Sequence, residues 1–124
     1  MIYTVTLNPA IDKTAVITSF TAGTVNRVET LREDAGGKGI NVSKCLKTLG
    51  AESVAVLLLA GDAGRHLAGL LEQEGLQLLC GEAEGRTRTN LKIVAPDLGQ
   101  NTDINEPGPK ASEETLRALL EALC

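Results

Sequence analysis

Apolar runs and amphipathic repeats alternate along the chain, a pattern typical of an α/β protein with a mainly parallel central sheet flanked by helices. The β-branched stretch MIYTVTLN predicts a first strand that ends at Pro9. The consecutive apolar residues of SVAVLLLAG and LQLLC predict two strands that are buried on both faces. RTNLKIVA and NTDIN predict two further strands around the turn PDLGQ.

Three segments repeat their apolar residues at helical spacing. The first is predicted to end at Gly50, the second to run from an Asp62 cap to Gly75, and the third to begin at a Ser112 cap. The apolar faces predicted to pack inward are Val42, Cys45, Leu46 and Leu49 in the first helix, Leu67, Leu70 and Leu71 in the second, and Leu116, Leu119, Leu120 and Leu123 in the third.

Between the first strand and the first helix lie two short segments with a strand-like pattern. KTAVITSF and TVNRVETLRED carry β-branched residues with partial alternation and are separated by the turn residues TAG. This pattern predicts a small hairpin outside the main sheet.

Composition narrows the classes of partner. One Phe, one Tyr and no Trp leave little for base stacking, which argues against a nucleic-acid partner. With a formal net charge of −4, any anion site must be local. The three cysteines form no CxxC pair and are expected to be thiols in a reducing compartment, with no familiar metal-site spacing around His66. No segment is predicted to be a signal peptide or a membrane span, so we expect a cytoplasmic protein without membrane contact.

The glycine-rich stretch before the first helix is the clearest candidate for chemistry. Gly36, Gly37 and Gly39 would let backbone N–H groups approach a ligand at a helix N-terminus, and Lys38 adds a charge. A Walker A loop is excluded because Gly39 follows Lys38 directly, and a dinucleotide fingerprint fails because Val42 stands where a third glycine is needed. A phosphorylated or polyhydroxylated ligand fits, but a simple turn before a helix remains an alternative.

Two other positions carry candidate binding groups. Asp12 lies just past the first strand, where α/β proteins bind ligands, and its carboxylate can accept hydrogen bonds from sugar hydroxyls. Arg86 and Arg88 follow a loop, and arginine suits bidentate phosphate contacts. A turn residue and two solvated arginines are the alternatives.

Together, TLNPAID, AGGKGINVSKCLKTLG, GRTRTNLKI and TDINEPGP resemble the PfkB (ribokinase-like) carbohydrate kinases. The segments are most similar to the branch of 1-phosphofructokinases and tagatose-6-phosphate kinases, and the resemblance runs in order from Met1 to Cys124. It implies a ribokinase-like α/β fold with a small β lid that begins at approximately residues 13–34. It also implies transfer of the ATP γ-phosphoryl group to a sugar, with Mg²⁺.

The resemblance implies roles for individual residues. It assigns a sugar-binding carboxylate to Asp12 and an arginine for the phosphate already on the substrate to Arg88. It further implies that a lid arginine, Arg27, reaches the site of a neighbouring subunit, so a homodimer through the lid is expected. The remaining implied contacts to the sugar phosphate are Gly36, Gly37, Lys38, Gly39 and Asn41, with Asn90 near Arg88.

One departure from the family is large. The family's late GAGD-type segment, which carries the catalytic aspartate, has no counterpart, since AGDAG at residues 60–64 follows a different strand. The chain also ends after its third helix, where a crossover normally returns to another strand. We therefore expect residues 1–124 to be the N-terminal portion of a kinase domain, without a catalytic residue, metal site, ATP site or cofactor of its own, and inactive alone.

The resemblance implies conversion of fructose 1-phosphate to fructose 1,6-bisphosphate by the complete enzyme. The alternatives are a fragment of a tagatose-6-phosphate kinase, a non-catalytic sugar-phosphate binder, or an inert truncation product. Ligand binding by the chain alone is expected to be poor, because an incomplete sheet leaves an exposed edge and uncovered apolar faces.

Overall fold

The computed structural model describes residues 1–123. These residues form seven strands and three α-helices, confirming the expected α/β fold. The elements in chain order are β1 (Ile2–Thr6), β2 (Ala10–Val16), β3 (Thr30–Gly36), α1 (Lys38–Thr48), β4 (Ser53–Leu59), α2 (Gly61–Gln73), β5 (Gln77–Glu82), β6 (Arg88–Ala95), β7 (Gln100–Asn105) and α3 (Glu113–Leu123), with a 3₁₀ turn at Pro96–Leu98.

The strands form two sheets. The central sheet has the order β1-β4-β5, and all its pairs are parallel. The lid sheet has the order β3-β2-β6-β7, in which β2 pairs antiparallel with β3 and parallel with β6, and β7 runs antiparallel to β6. The predicted hairpin therefore exists outside the central sheet, joined by the two later strands.

Helices lie on both faces of the central sheet, although the second face is covered only beside β5. On one face, Ile40 of α1 and Leu67 and Leu71 of α2 pack with Leu57 of β4 in one buried cluster. On the other face, Leu119 of α3 packs against β5. Burying a leucine fully contributes about 1.5–3 kcal/mol, so β4 and the two helices on its first face hold most of the stabilising apolar area.

The predicted inward face of α1 is wrong. Its buried residues are Ile40 and Ser43, whereas Val42 is 50% and Leu49 is 75% exposed. The cause is a polar contact between layers, because the buried hydroxyls of Ser43 and Thr4 are hydrogen-bonded at 2.6 Å. This contact turns the apolar stripe of α1 partly toward solvent.

Two further predictions at the second βα unit need correction. The strand LQLLC is not buried on both faces, since β5 lies at an edge of the central sheet and Cys80 is exposed. Asp62 does not cap α2, because Ala60 holds the cap position and Asp62 pairs with Arg65 in the first turn. The helix ends beside Gly75, which has a positive φ, as predicted.

The third helix begins as predicted, since Ser112 Oγ accepts a hydrogen bond from the Thr115 N–H at 3.1 Å. Its apolar stripe is only partly buried: Leu119 is 6% exposed, but Leu120 is 62% exposed. Cys45 and Cys80 are free thiols, and Cys124 lies outside the described residues. Within residues 1–123, none of the helices is both long and apolar enough to cross a membrane.

The lid hairpin is longer than the predicted 13–34, because β2 begins at Ala10 and β3 ends at Gly36. The two strands stay paired as far as the glycines before α1. As a result, Asp12 lies within a strand of the lid rather than in a loop after β1.

Candidate functional site

A row of polar side chains crosses the lid sheet near its junction with the central sheet. In the strand register, Asp12 is opposite Asp34 on one side and Asn90 on the other, and Asn90 is opposite Asn105. Paired residues of neighbouring strands point to the same face of a sheet. The pairing thus collects two carboxylates and two amides into one line.

This row lies in an open groove of about 330 Å³. The next row along the strands lies on the same face and consists of Thr14, Arg32, Lys92 and Asp103. The Nε of Arg32 donates to Asp34 Oδ2 at 2.8 Å, which ties the two rows together. The groove therefore presents mixed charge and many hydrogen-bonding groups, as a polyhydroxylated ligand requires.

The glycine turn, residues 36–39, lies next to the groove, with Gly36 against the carboxylate of Asp12. A Cβ on Gly36 would overlap the carboxylate of Asp12, so only glycine allows this carboxylate to sit against the turn. Gly37 has a φ of +141°, a backbone conformation that strongly favours glycine. Glycine is thus needed at Gly36 to leave room for Asp12 and favoured at Gly37 by its backbone conformation.

The turn leads into a helix end with open hydrogen-bond donors. Gly37 is the N-cap of α1, makes no side-chain cap hydrogen bond, and is followed by no acidic residue in the first turn. Lys38 and Asn41 are both exposed in that first turn. Free N–H groups of this kind attract anions and hydroxyl oxygens.

Arg88 is the first residue of β6 and lies opposite Ala10, which is itself opposite Gly36. These three positions form the row next to Asp12, on the same face. The Arg88 Nε and the Asn90 Oδ1 are buried and have no hydrogen-bond partner among residues 1–123. Two unpartnered polar atoms on one strand face indicate groups that a ligand could satisfy.

Two arginines are not brought to the groove. Arg27 is exposed in the loop of residues 17–29, which joins the ends of β2 and β3 farthest from the glycine turn. Arg86 is exposed before β6 begins and does not line the groove. Of the predicted arginines, only Arg88 lies beside Asp12.

Sequence reasoning missed Asp34 and Asn105, because their place depends on the register of strands that are distant in sequence. It also missed a contact between two of the quoted segments. Asn8 of TLNPAID donates from Nδ2 to the carbonyl oxygen of Pro107 in NEPGP at 3.0 Å. Glu106 accepts from the Thr89 N–H at 2.7 Å, so this segment also holds the start of β6.

On the opposite face of the lid, an ionic contact joins the lid to α2. His66 Nε2 lies 2.6 Å from Glu33 Oε2, and Lys13 Nζ lies 3.8 Å from Glu33 Oε1. The hydrogen bond with His66 is the main cause that lowers the pKa of Glu33, with the charges of His66 and Lys13 adding to it. At the far end of the lid, hydrogen bonds from Ser19 likewise lower the pKa of Asp97.

Elsewhere, the partial desolvation of the Cys80 thiol and then the nearby Glu72 raise its pKa; this residue lies on β5, away from the groove. Residues 1–123 contain no group of three or more His, Cys, Asp or Glu side chains placed to hold a metal ion. The carboxylates, amides and basic side chains that line the groove can form hydrogen bonds with a polar ligand.

Comparison with known proteins agrees with this geometry. The family model "pfkB family carbohydrate kinase" matches residues 5–124. The 1-phosphofructokinase of Xanthomonas campestris pv. campestris is 42% identical over 121 residues, which cover 97% of this chain and 38% of that enzyme. The tagatose-6-phosphate kinase of Staphylococcus epidermidis is 36% identical over 125 residues, covering 98% of this chain and 40% of the relative.

Solved structures give the same result. Phosphofructokinase-2 from Escherichia coli in complex with fructose-6-phosphate has a TM-score of 0.90 at 30% identity, covering 98% of this chain and 40% of that one. The chain thus spans about two fifths of the length of the relatives it matches, and the expected ribokinase-like fold is confirmed over that span. Since the family match runs from the first strand through the third helix, the chain belongs to the pfkB family of carbohydrate kinases.

Proposed function

We propose that this chain is the N-terminal, substrate-binding portion of a 1-phosphofructokinase. The complete enzyme transfers the γ-phosphoryl group of ATP to fructose 1-phosphate and forms fructose 1,6-bisphosphate. The observation that carries the proposal is the strand register that places Asp12 beside Asn90 in the groove, with Asp12 also against Gly36 of the glycine turn. The relatives named 1-phosphofructokinase support the choice of sugar phosphate.

In this proposal, the row of Asp12 holds the sugar. A carboxylate accepts hydrogen bonds from two hydroxyls, and the amides of Asn90 and Asn105 can both donate and accept. The open N–H groups at the start of α1, with Lys38 and Asn41 beside them, add donors from the glycine turn. These groups orient the sugar by hydrogen bonding alone.

The phosphate already on the substrate belongs at the row of Arg88. Asp12, Asp34 and Asp103 line the groove along with the basic residues Lys13, Arg32 and Lys92, so the charge of the groove does not by itself favour a phosphate. Arg88 is one row nearer to the N-terminus of α1, and its guanidinium can form paired hydrogen bonds with phosphate oxygens. The helix end and Lys38 favour an anion at the same place.

ATP and Mg²⁺ are assigned to the part of the enzyme that this chain does not contain. Residues 1–123 contain no cluster of three or more His, Cys, Asp or Glu side chains placed to hold a metal ion, so they do not fit Mg²⁺. We therefore propose that residues 1–124 form the N-terminal portion of one kinase domain. By itself this portion binds and orients the acceptor sugar weakly and transfers no phosphoryl group.

The proposal extends to assembly and location. Leu31 and Ile104 are 54% and 53% exposed on the face of the lid opposite the groove, and such apolar residues suit a homodimer through the lid. Arg27, in the lid loop, would then reach the site of the second subunit. A monomeric mass for the complete enzyme in solution would contradict the dimer.

A cytoplasmic location is also part of the proposal, because it fits a sugar kinase that depends on ATP and Mg²⁺.

An assay of the complete enzyme that contains this chain tests the function. We expect the highest kcat/KM with ATP, Mg²⁺ and fructose 1-phosphate, and a large loss in an Asp12→Ala variant. Asp62→Asn, exposed on α2, is the matched control and should retain full activity. A preference for tagatose 6-phosphate would instead assign the chain to the sister enzyme, and activity without either sugar phosphate would contradict both.

A further inference from the structure

Thr87, the residue before Arg88, joins the two sheets. It is 2% exposed. Its Oγ1 accepts a hydrogen bond from the Ala60 N–H at 2.9 Å, and its own N–H donates to the Ala60 carbonyl oxygen at 3.0 Å. Ala60 follows β4 and caps α2, so both bonds fasten the start of β6 to the central sheet.

The space around this contact is closed. A Cβ on Gly64, in the first turn of α2, would lie 3.0 Å from Thr87 Oγ1 and 2.9 Å from Leu59 Cβ. The glycine therefore leaves room for the threonine hydroxyl and no more. Loss of the hydroxyl would leave the buried Ala60 N–H without its acceptor, which is more harmful than loss of an exposed hydrogen bond.

The backbone of Arg88 determines the direction in which its side chain leaves β6. On one side of β6, that backbone is fixed by pairing with Ala10 of β2. Its Nε is buried without a partner among residues 1–123, so the guanidinium is not held by that atom. Two other contacts support this end of β6: the bonds between Thr87 and Ala60, and the hydrogen bond from the Thr89 N–H to Glu106.

We propose that Thr87 is a positioning residue: by fastening the start of β6 to Ala60, it aims the Arg88 guanidinium at the phosphate of the bound sugar phosphate. The inference rests on the proposed function, in which Arg88 binds that phosphate. Thr87 itself touches no substrate. Its loss should weaken recognition of the phosphate and leave recognition of the sugar unchanged.

The test uses the 124-residue chain labelled with ¹⁵N and titrated with fructose 1-phosphate and, separately, with fructose. Amide shifts of Arg88 and Asn90 report binding even when it is weak. Thr87→Val, which keeps the shape and removes the hydroxyl, should weaken fructose 1-phosphate binding roughly tenfold. Thr87→Ser, which keeps the hydroxyl, should restore wild-type binding, and neither variant should change the response to fructose.

The double variant separates positioning from general stability. Thr87→Val combined with Arg88→Met should bind fructose 1-phosphate no more weakly than Arg88→Met alone, because one residue acts through the other. Additive losses, or an equal loss for fructose, would overturn the positioning role. If Arg88→Met has no effect, the phosphate-binding role of Arg88 fails; if only Thr87→Val has no effect, the inference alone fails.

A measurement without ligand keeps the inference testable if the isolated chain binds neither sugar. Hydrogen exchange at the Ala60 amide and motion of the Arg88 side chain should both increase in Thr87→Val and stay near wild type in Thr87→Ser. An unchanged Arg88 signal in Thr87→Val would overturn the inference. Thr87→Ala serves as a second test of the lost hydroxyl if the valine variant does not fold.

Discussion

The strands of the central sheet and those of the lid sheet differ in composition and in burial. In β4, the residues from Ala55 to Leu59 are all buried, with helices on both faces. In β7, only Thr102 is even half-buried. A strand inside a layered core is specified by continuous apolar residues, whereas a lid strand is specified by alternation and pairing, which leaves one face free for polar groups.

This difference separates stability from binding. The central sheet holds the buried leucines, and the lid sheet holds the groove. Substitutions in β4 should therefore act mainly on the free energy of unfolding, and substitutions on the groove face should act mainly on ligand affinity.

The largest effect is expected for Leu57→Ala. Leu57 is fully buried in the cluster formed with α1 and α2, and its truncation should lower the free energy of unfolding by about 2–5 kcal/mol. Thr14→Ala, on the groove face of the lid, should change it by less than about 0.5 kcal/mol. Urea denaturation of both variants measures this; similar losses would show that the lid contributes to the core as much as the central sheet does.

Gly39→Ala should have the next largest effect. An added Cβ would lie 2.8 Å from the Val5 carbonyl oxygen, so α1 would be pushed away from β1 at a cost of about 1–3 kcal/mol. Gly69→Ala in α2 is the matched control, since nothing lies within 4 Å of its added Cβ and alanine is the better helix former. Thermal melts should show the two variants moving in opposite directions, and a shared direction would be inconsistent with the close packing of the glycine turn.

Asp12→Asn should lower affinity for fructose 1-phosphate roughly tenfold while leaving the melting temperature close to that of the wild type. The Asp12 side chain lines the groove, so we expect its charge to contribute little to the stability of the folded lid. Calorimetric titration and a melt of the same sample measure both quantities. A stability loss without an affinity loss would place Asp12 in the structure and not in the binding site.

The smallest effect concerns pH. The pKa of Glu33 is lowered from its ordinary value of 4.5. The ionised side chain therefore adds to the free energy of unfolding above pH 4.5, and this stabilisation is lost as the pH falls through the lowered pKa. Unfolding of the wild type should therefore become easier below about pH 4.5, and Glu33→Gln should reduce this acid sensitivity. Glu84→Gln, at an exposed position, is the control; equal acid sensitivity in Glu33→Gln and wild type would rule out the contact with His66 as its source.

The apolar pattern predicted both layers, and Gly50, Gly75 and Ser112 predicted three helix termini because they act through local backbone geometry, whereas the predicted Asp62 cap was wrong. It could not predict which face of α1 is buried, since that depends on Ser43 meeting Thr4 of a strand far away in sequence. The glycine turn, Asp12, Arg88 and Asn90 were predicted as site residues from residue type and family resemblance, and their binding roles stay predictions. Asp34 and Asn105 needed the strand register, which residue types alone do not specify.

The parallel pairing of β2 with β6 has a consequence for how the protein folds. The unit β4-α2-β5 is made by neighbours in the chain, whereas Asp12 meets Asn90 only after the whole intervening segment has been synthesised and closed into a loop. We expect the core to form early and the ligand groove to be completed late. Pulse-labelled hydrogen exchange during refolding would contradict this order if amides of β6 were protected as soon as those of β4. A newly made chain would thus possess a folded core for some time before it can recognise its sugar.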